Sequence, residues 1–191
     1  MIIQCAADFH GSVEKYKKFF NAVKKEEPDV IILPGDLGSI DENLYEIDCP
    51  AFAVHGNMDG LLFLNKIKIV DEKLFDFKGY KILGLGWNFK DFIDENGKKI
   101  SIKEADFDII ISHAPPYKTK DKAFLGMHIG SKKLRRIVEE KNPDFVLCGH
   151  VHEDYGYTLL NETIIVNCSI GKKGSYTIID TENKKVRMIG Y

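Results

Sequence analysis

The chain has only four cysteines, at 5, 49, 148 and 168, and no two stand at Cys-x-x-Cys spacing. That excludes a zinc knuckle, a thioredoxin-like redox pair and a disulfide-stapled scaffold, and it predicts small core residues at these positions. Long apolar runs are missing as well: none approaches the roughly 20 residues that cross a bilayer. The start, Met1-Ile2-Ile3-Gln4-Cys5, has neither a basic leader nor a cleavable apolar segment. A cytoplasmic protein without a membrane partner is therefore expected. Charge of one sign is not concentrated anywhere: 27 basic and 29 acidic residues leave a formal charge of -2. A stable nucleic-acid complex is not expected from such a surface, and small or nucleotide-sized partners fit better. No repeat, linker or low-complexity segment divides the 191 residues. One domain over 1–191 is expected, and nothing in the residues specifies an oligomer.

What is present alternates between two periodicities. Residues 2–7 form an apolar strand candidate, and from Ser12 a helix is predicted in which Val13, Tyr16, Phe19, Phe20 and Val23 recur every three or four positions until Pro28. Residues 30–33, 51–54, 108–111 and 145–148 read as strands with little polar alternation, which requires cover on both faces. A helix over 131–141 places Leu134, Ile137 and Val138 on one side, ahead of Pro143. This is the βαβ pattern of a parallel sheet. Residues 74–85 instead predict a hairpin turning at Lys78-Gly79, and residues 155–189 predict successive antiparallel strands turning near Asn161-Glu162 and at 180–183. The expected fold class is α/β, a mixed sheet with a second, more antiparallel one.

The strand ends carry the chemistry. Asp8 and His10 follow the first strand, Asp36 the second, Asn57 the third, His113 the fourth, and His150 with His152 the fifth. All leave carboxyl ends, the edge at which open α/β sheets bind ligands. Any one of these residues has an ordinary alternative: a surface histidine, an aspartate capping a helix, an asparagine in a turn. Glycines at 11, 35, 56 and 149 suit tight turns or close backbone approach beside such a site, or are plain loop glycines. Imidazole nitrogens with carboxylate and amide oxygens, and no thiolates, suit Mn, Fe, Zn or Ni better than Ca or a structural zinc.

The ordered series Asp-x-His, Gly-Asp, Gly-Asn-x-Asp, His and Gly-His-x-His over residues 8–152 resembles the calcineurin-like metallophosphoesterase family. The run Ser112-His113-Ala114-Pro115-Pro116, then Gly130-Ser131, is similar to a small single-domain branch of predicted phosphoesterases. The resemblance implies a four-layer α/β/β/α sandwich of two mixed sheets flanked by helices. It implies two divalent metal ions, one held by Asp8, His10, Asp36 and His152 and the other by Asp36, Asn57, His113 and His150, with Asp36 shared. Two such ions with two aspartates and a bridging hydroxide keep about one positive charge, which attracts a phosphoryl group. The implied activity is hydrolysis of a small phosphate ester by that hydroxide, with a phosphodiester or nucleotide favoured. A phosphomonoesterase is an alternative. So is a non-catalytic scaffold on the same fold, although such proteins tend to lose ligands; a nuclease would need a basic face.

The family's histidine between Asn and Asp is absent here: Met58 takes its place. A thioether can neither contact the phosphate well nor protonate a leaving oxygen, a role that commonly contributes about 10²–10⁴-fold. Turnover of substrates with poor leaving groups is expected to be slow, unless another donor serves. His128 is the first candidate for that catalytic role, followed by His55 and Tyr117. Met58 itself is expected either to pack at the site wall or to touch substrate, and Asp59 to act only in a turn or cap. The 114–130 connection, with Lys118, Lys120 and Lys122, is the expected place for specificity, or else a solvated basic face. Free N–H groups at Gly130-Ser131 are expected to receive an anion.

Overall fold

Strands with no polar alternation need apolar cover on both sides, and two sheets packed face to face supply it. The computed structural model describes residues 1–90, 92–94, 96–171 and 174–190. In chain order, the first half contains β1 (Ile2–Cys5), α1 (Val13–Glu26), β2 (Val30–Leu33), β3 (Ala51–Ala53), β4 (Ile67–Ile69), β5 (Lys73–Phe77), β6 (Tyr80–Leu85), β7 (Phe92–Ile93) and β8 (Lys99–Ile100). The second half contains β9 (Ile109–Ser112), α2 (Lys132–Lys141), β10 (Phe145–Cys148), β11 (Gly156–Leu160), β12 (Thr163–Asn167), β13 (Tyr176–Asp180) and β14 (Lys185–Ile189). One sheet has the order β14-β13-β1-β2-β3-β4, the other β11-β12-β10-β9-β6-β5-β7-β8.

Both sheets are mixed. In the first, β1 through β4 run parallel, while β13 joins β1 and β14 joins β13 antiparallel. In the second, β12, β10, β9 and β6 run parallel, and β11, β5 and β8 are antiparallel to their hairpin partners. Ile3, Cys5, Val30 and Ile32 meet Ile109, Ile111, Phe145 and Leu147 between the sheets. The alternate residues, Ile31 and Leu33 among them, face Tyr16, Phe19 and Phe20 of α1, while Val146 and Ile165 face Leu134, Ile137 and Val138 of α2. The result is the four-layer α/β/β/α sandwich. Among the described residues, no helix is long and apolar enough to cross a membrane.

The helices end where their caps stop them. Ser12 and Ser131 accept from the backbone N–H three residues on, and left-handed Glu27 and Asn142 close the C-terminal ends, each ahead of a proline. Three features differ from sequence expectation. The two antiparallel hairpins expected over 155–189 form, but in different sheets: β11 and β12 extend the second sheet beside β10, whereas β13 and β14 add to β1 of the first. The five ligand-bearing strands do not share a sheet, because β9 and β10 lie in the second. Strands β4, β7 and β8, two or three residues long, carry too little pattern to be read in advance.

Entry into β4 is held by a buried carboxylate. Glu42 accepts from the backbone N–H groups of Asn65 (2.6 Å), Lys66 (2.9 Å) and Ile67 (2.8 Å). Hydrogen bonds to a charged acceptor contribute about 1.5–3 kcal/mol and leave costly orphans when removed. Glu42→Ala is expected to destabilise the fold by about 2–4 kcal/mol, read as a lower urea midpoint with an unchanged slope.

Candidate metal centre

Loops leaving two facing sheets meet at one end of the sandwich, and strained backbone turns their side chains together. Asp8, His10, Asp36 and His150 all have left-handed φ, between 49° and 70°. Non-glycine residues pay for that conformation, and such outliers cluster where a site demands them. The sheets are stitched together at this edge where Ala7 bridges Ser169, and within the second sheet Gly149 N–H donates to the His113 carbonyl at 2.9 Å. Asp8 N–H donates to Gly35 and His10 N–H to the Asp36 carbonyl. His150 N–H donates to the Asp8 carboxylate at 3.0 Å.

The side chains converge into two groups. Asp8, His10 and His152 form one and Asp8, Asp36 and His113 the other, each offering one ligand atom with all of them within 4.8 Å of one another. Asp36 Oδ2 lies 3.8 Å from His10 Nδ1 and 3.5 Å from His113 Nε2, so it reaches into both groups. His10 Nε2 and His152 Nε2 are 3.4 Å apart. Asn57 Oδ1 lies 3.1 Å from His113 Nε2, and the His150 ring packs against the His113 ring at 5.0 Å. His113 Nδ1 donates to the Pro34 carbonyl at 2.8 Å, which leaves Nε2 as the free ligand atom.

Charge follows this geometry. Burial pushes the Asp8 carboxyl up, but His152 and His113 outweigh it and hold it below the ordinary value. Asp36 is lowered likewise, against burial, by His113, by the Met58 N–H and by His10. Burial works against His113 protonation, yet Asp36 and Asp8 raise its pKa. His152 is raised by its hydrogen bond to Asp8. His150 is lowered by burial and by the neighbouring His113. Two ionised carboxylates amid imidazoles, with no thiolate, form a donor set for borderline divalent transition metals. Ligand atoms within 4.8 Å of one another suit a centre with bonds of about 2.0–2.2 Å to each.

Neighbouring residues divide into supports and corrections. Gly56 and Gly149 are not plain loop glycines: a Cβ would stand 2.7 Å from Asp36 Cγ at the first and 2.9 Å from Asp8 Oδ2 at the second. Asp59 accepts from Gly38 and Gly56 N–H, so it braces the turn. His55 is tied through its backbone and ring to Asp71. Met58 donates its N–H to Asp36 Oδ1, while its side chain is 69% exposed, so it does not pack into the wall. His128 Nδ1 is bonded to buried Asp121 at 2.6 Å and its ring lies edge-on to Tyr117. The expected anion site at Gly130-Ser131 is overturned: Gly130 N–H donates to Asp121 and Ser131 N–H to the Pro115 carbonyl, so neither is free. Lys120 is paired with Asp154, and Lys118 and Lys122 are exposed.

Two supports escaped the sequence. Trp87 follows β6, and its ring lies 4.8 Å from that of His150 and 5.7 Å from that of His113. The signal was its place after an apolar run, but only the parallel pairing of β6 with β9 shows that this strand ends at the ligand edge. Asn167, buried at the end of β12, donates to the carbonyls of Val151 and Asp154 and so holds the His150–His152 loop. A cavity of about 490 Å³ lined by Phe92, Ile102, Arg136 and Ile137 includes none of the ligand residues.

Comparison with known proteins gives the family and the fold. The chain is 29% identical over 209 residues to the uncharacterized protein MJ1162 of Methanocaldococcus jannaschii, with 94% of this chain and 91% of that one covered. Its fold is similar to that of TT1561 from Thermus thermophilus, with a TM-score of 0.68 at 19% identity over 98% and 97% of the two chains. A structure described as a novel archaeal phosphodiesterase matches with a TM-score of 0.63 at 16% identity over 99% of each chain. The model of the calcineurin-like phosphoesterases matches residues 1–154, which hold every candidate ligand. The chain therefore belongs to the calcineurin-like phosphoesterase family.

Proposed function

We propose that this chain acts over residues 1–191 as a phosphohydrolase with two divalent transition-metal ions, Mn, Fe, Zn or Ni, and that it favours a small phosphodiester or nucleotide. The observation that carries this proposal is the pair of ligand groups with Asp8 in common and Asp36 Oδ2 between His10 and His113. Asp8, His10, Asp36 and His152 would hold one ion, and Asp36, Asn57, His113 and His150 the other. When bound, the pair would supply Lewis acidity toward phosphoryl oxygens and a water acidic enough to attack near neutral pH. The chain's own groups prepare the place. Met58 N–H occupies Asp36 Oδ1 and leaves Oδ2 for the shared role, and Pro34 fixes the His113 tautomer.

No side-chain donor stands at position 58, so substrates with acidic leaving groups, aryl or nucleoside phosphates, should turn over best. His128 is the candidate donor for others: Asp121 holds its Nδ1, which leaves Nε2 for proton transfer. The test is an assay of the protein with Mn, Ni, Zn or no metal against aryl mono- and diesters. Metal-dependent cleavage, faster on diesters, is expected. Inactivity across the panel, or metal-independent binding of a protein partner without turnover, would replace this proposal with a scaffold on the same fold. Met58→His should gain most, about 10-fold or more, on esters with basic leaving groups, and His128→Ala should lose most on the same esters. Equal effects on all esters would reject the leaving-group role.

Metal loading should depend steeply on pH. His113 and His152 have raised values in the folded protein, and a protonated imidazole cannot ligate. Affinity should therefore hold above those raised values and fall as pH drops through them. Below them the loss is about tenfold per pH unit for each competing histidine. Calorimetric titration of Mn or Zn across that range checks the slope, and His152→Ala should flatten it.

A further inference from the structure

Beside Asn57 opens a cavity of about 340 Å³, lying between the loops around residues 55–59 and 86–89. Its two kinds of wall differ in chemistry. One is aromatic: half-buried Trp87, whose ring is held against His150 and His113 and whose backbone N–H donates to the His55 carbonyl at 3.1 Å, and Phe89. Lys133 Nζ already sits over the Phe89 ring at 4.2 Å, which leaves Trp87 as the platform for stacking. The other wall is acidic: Asp59, Asp71 and Glu72 line it. Backbone N–H groups hold all three, the donor to Glu72 being Lys90 at 2.7 Å, and the His55 ring also bonds Asp71, yet a carboxylate oxygen accepts more than one hydrogen bond. Such a wall repels a second phosphate and favours N–H donors. A volume of this size matches one small organic group and leaves no room for a polymer.

We propose that this cavity binds a nucleobase of the ester, an uncharged planar ring stacked on Trp87 with its N–H donors toward the acidic wall. The phosphate would then lie at the ligand groups next to Asn57. Only that second half rests on the phosphohydrolase proposal; the ring site does not.

Trp87 is the chain's single tryptophan, so tryptophan fluorescence reports on this cavity and on the His150 and His113 rings beside it, and ribose 5-phosphate controls for the latter. Titration of metal-free protein with adenosine or adenosine 5′-monophosphate should quench it saturably, and ribose 5-phosphate should not. Methylating both exocyclic N–H positions of adenosine should weaken binding about fivefold. In the metal-loaded protein, Trp87→Ala should lower the kcat/KM ratio of a nucleoside p-nitrophenyl phosphodiester over methyl p-nitrophenyl phosphate by about tenfold, with Trp87→Phe restoring part of it. An equal loss on both esters, or no quenching by adenosine, overturns the ring site. Quenching without hydrolysis of either ester would support the ring site and sink the phosphohydrolase proposal.

Discussion

Asp36→Ala is expected to lower metal-dependent kcat/KM by at least about 10³-fold and to release metal measurable by elemental analysis. Loss of partners that merely orient a ligand costs about 10–100-fold, and Asp36 is proposed to serve both ions directly. The fold should survive. Met58 N–H loses its acceptor, at about 1–3 kcal/mol, but His113, whose pKa Asp36 helps to raise, can shed a proton rather than remain an unpaired cation. Asp36→Asn separates these effects: it keeps an oxygen for Met58 N–H and removes the charge, so stability should recover while activity does not. Turnover near the wild-type level in either variant would end the assignment of Asp36 as the shared ligand.

Gly56→Ala is the second large effect, and its cause is space. The new Cβ would lie 2.7 Å from Asp36 Cγ and nearer still to Asp36 Oδ1 and backbone N. Asp36 cannot retreat easily: it is held at φ 52°, its carbonyl accepts from His10 N–H, and its carboxylate accepts from Met58 N–H. The 55–59 turn must move instead, which breaks the Gly56 N–H bond to Asp59 and shifts Asn57. A loss of about 2–4 kcal/mol in stability and about 10²-fold in activity is expected. Gly60→Ala is the control, since nothing stands within 4 Å of its would-be Cβ and its φ is ordinary. Its stability should stay within about 0.5 kcal/mol of the parent. Equal destabilisation by both changes would show that the close approach at Gly56 is not the cause.

Much of the site was legible because its signals are local. Apolar runs at 2–7, 30–33, 51–54, 108–111 and 145–148 end in Asp, His or Asn, and the structure has strands β1, β2, β3, β9 and β10 there. The helical period placed Tyr16, Phe19 and Phe20 of α1 and Leu134, Ile137 and Val138 of α2 on their buried faces. Trp87 was not legible, since only the pairing of β6 with β9 reveals what lies beside it. The N–H groups of Gly130 and Ser131 look free in the sequence, and only the folded loop brings Asp121 and the Pro115 carbonyl onto them.

The sequence by itself determined the order and identity of the candidate ligands, the two helices, the two-sided burial of the strands and the missing donor at Met58. Tertiary structure alone decided that the ligands come from two sheets, that β13 returns to β1, and that an aromatic and acidic cavity opens beside Asn57. Periodicity and turn chemistry act over a few residues and leave their mark in the sequence, whereas a strand's partner can lie more than a hundred residues away and is decided by how the whole sheets pack.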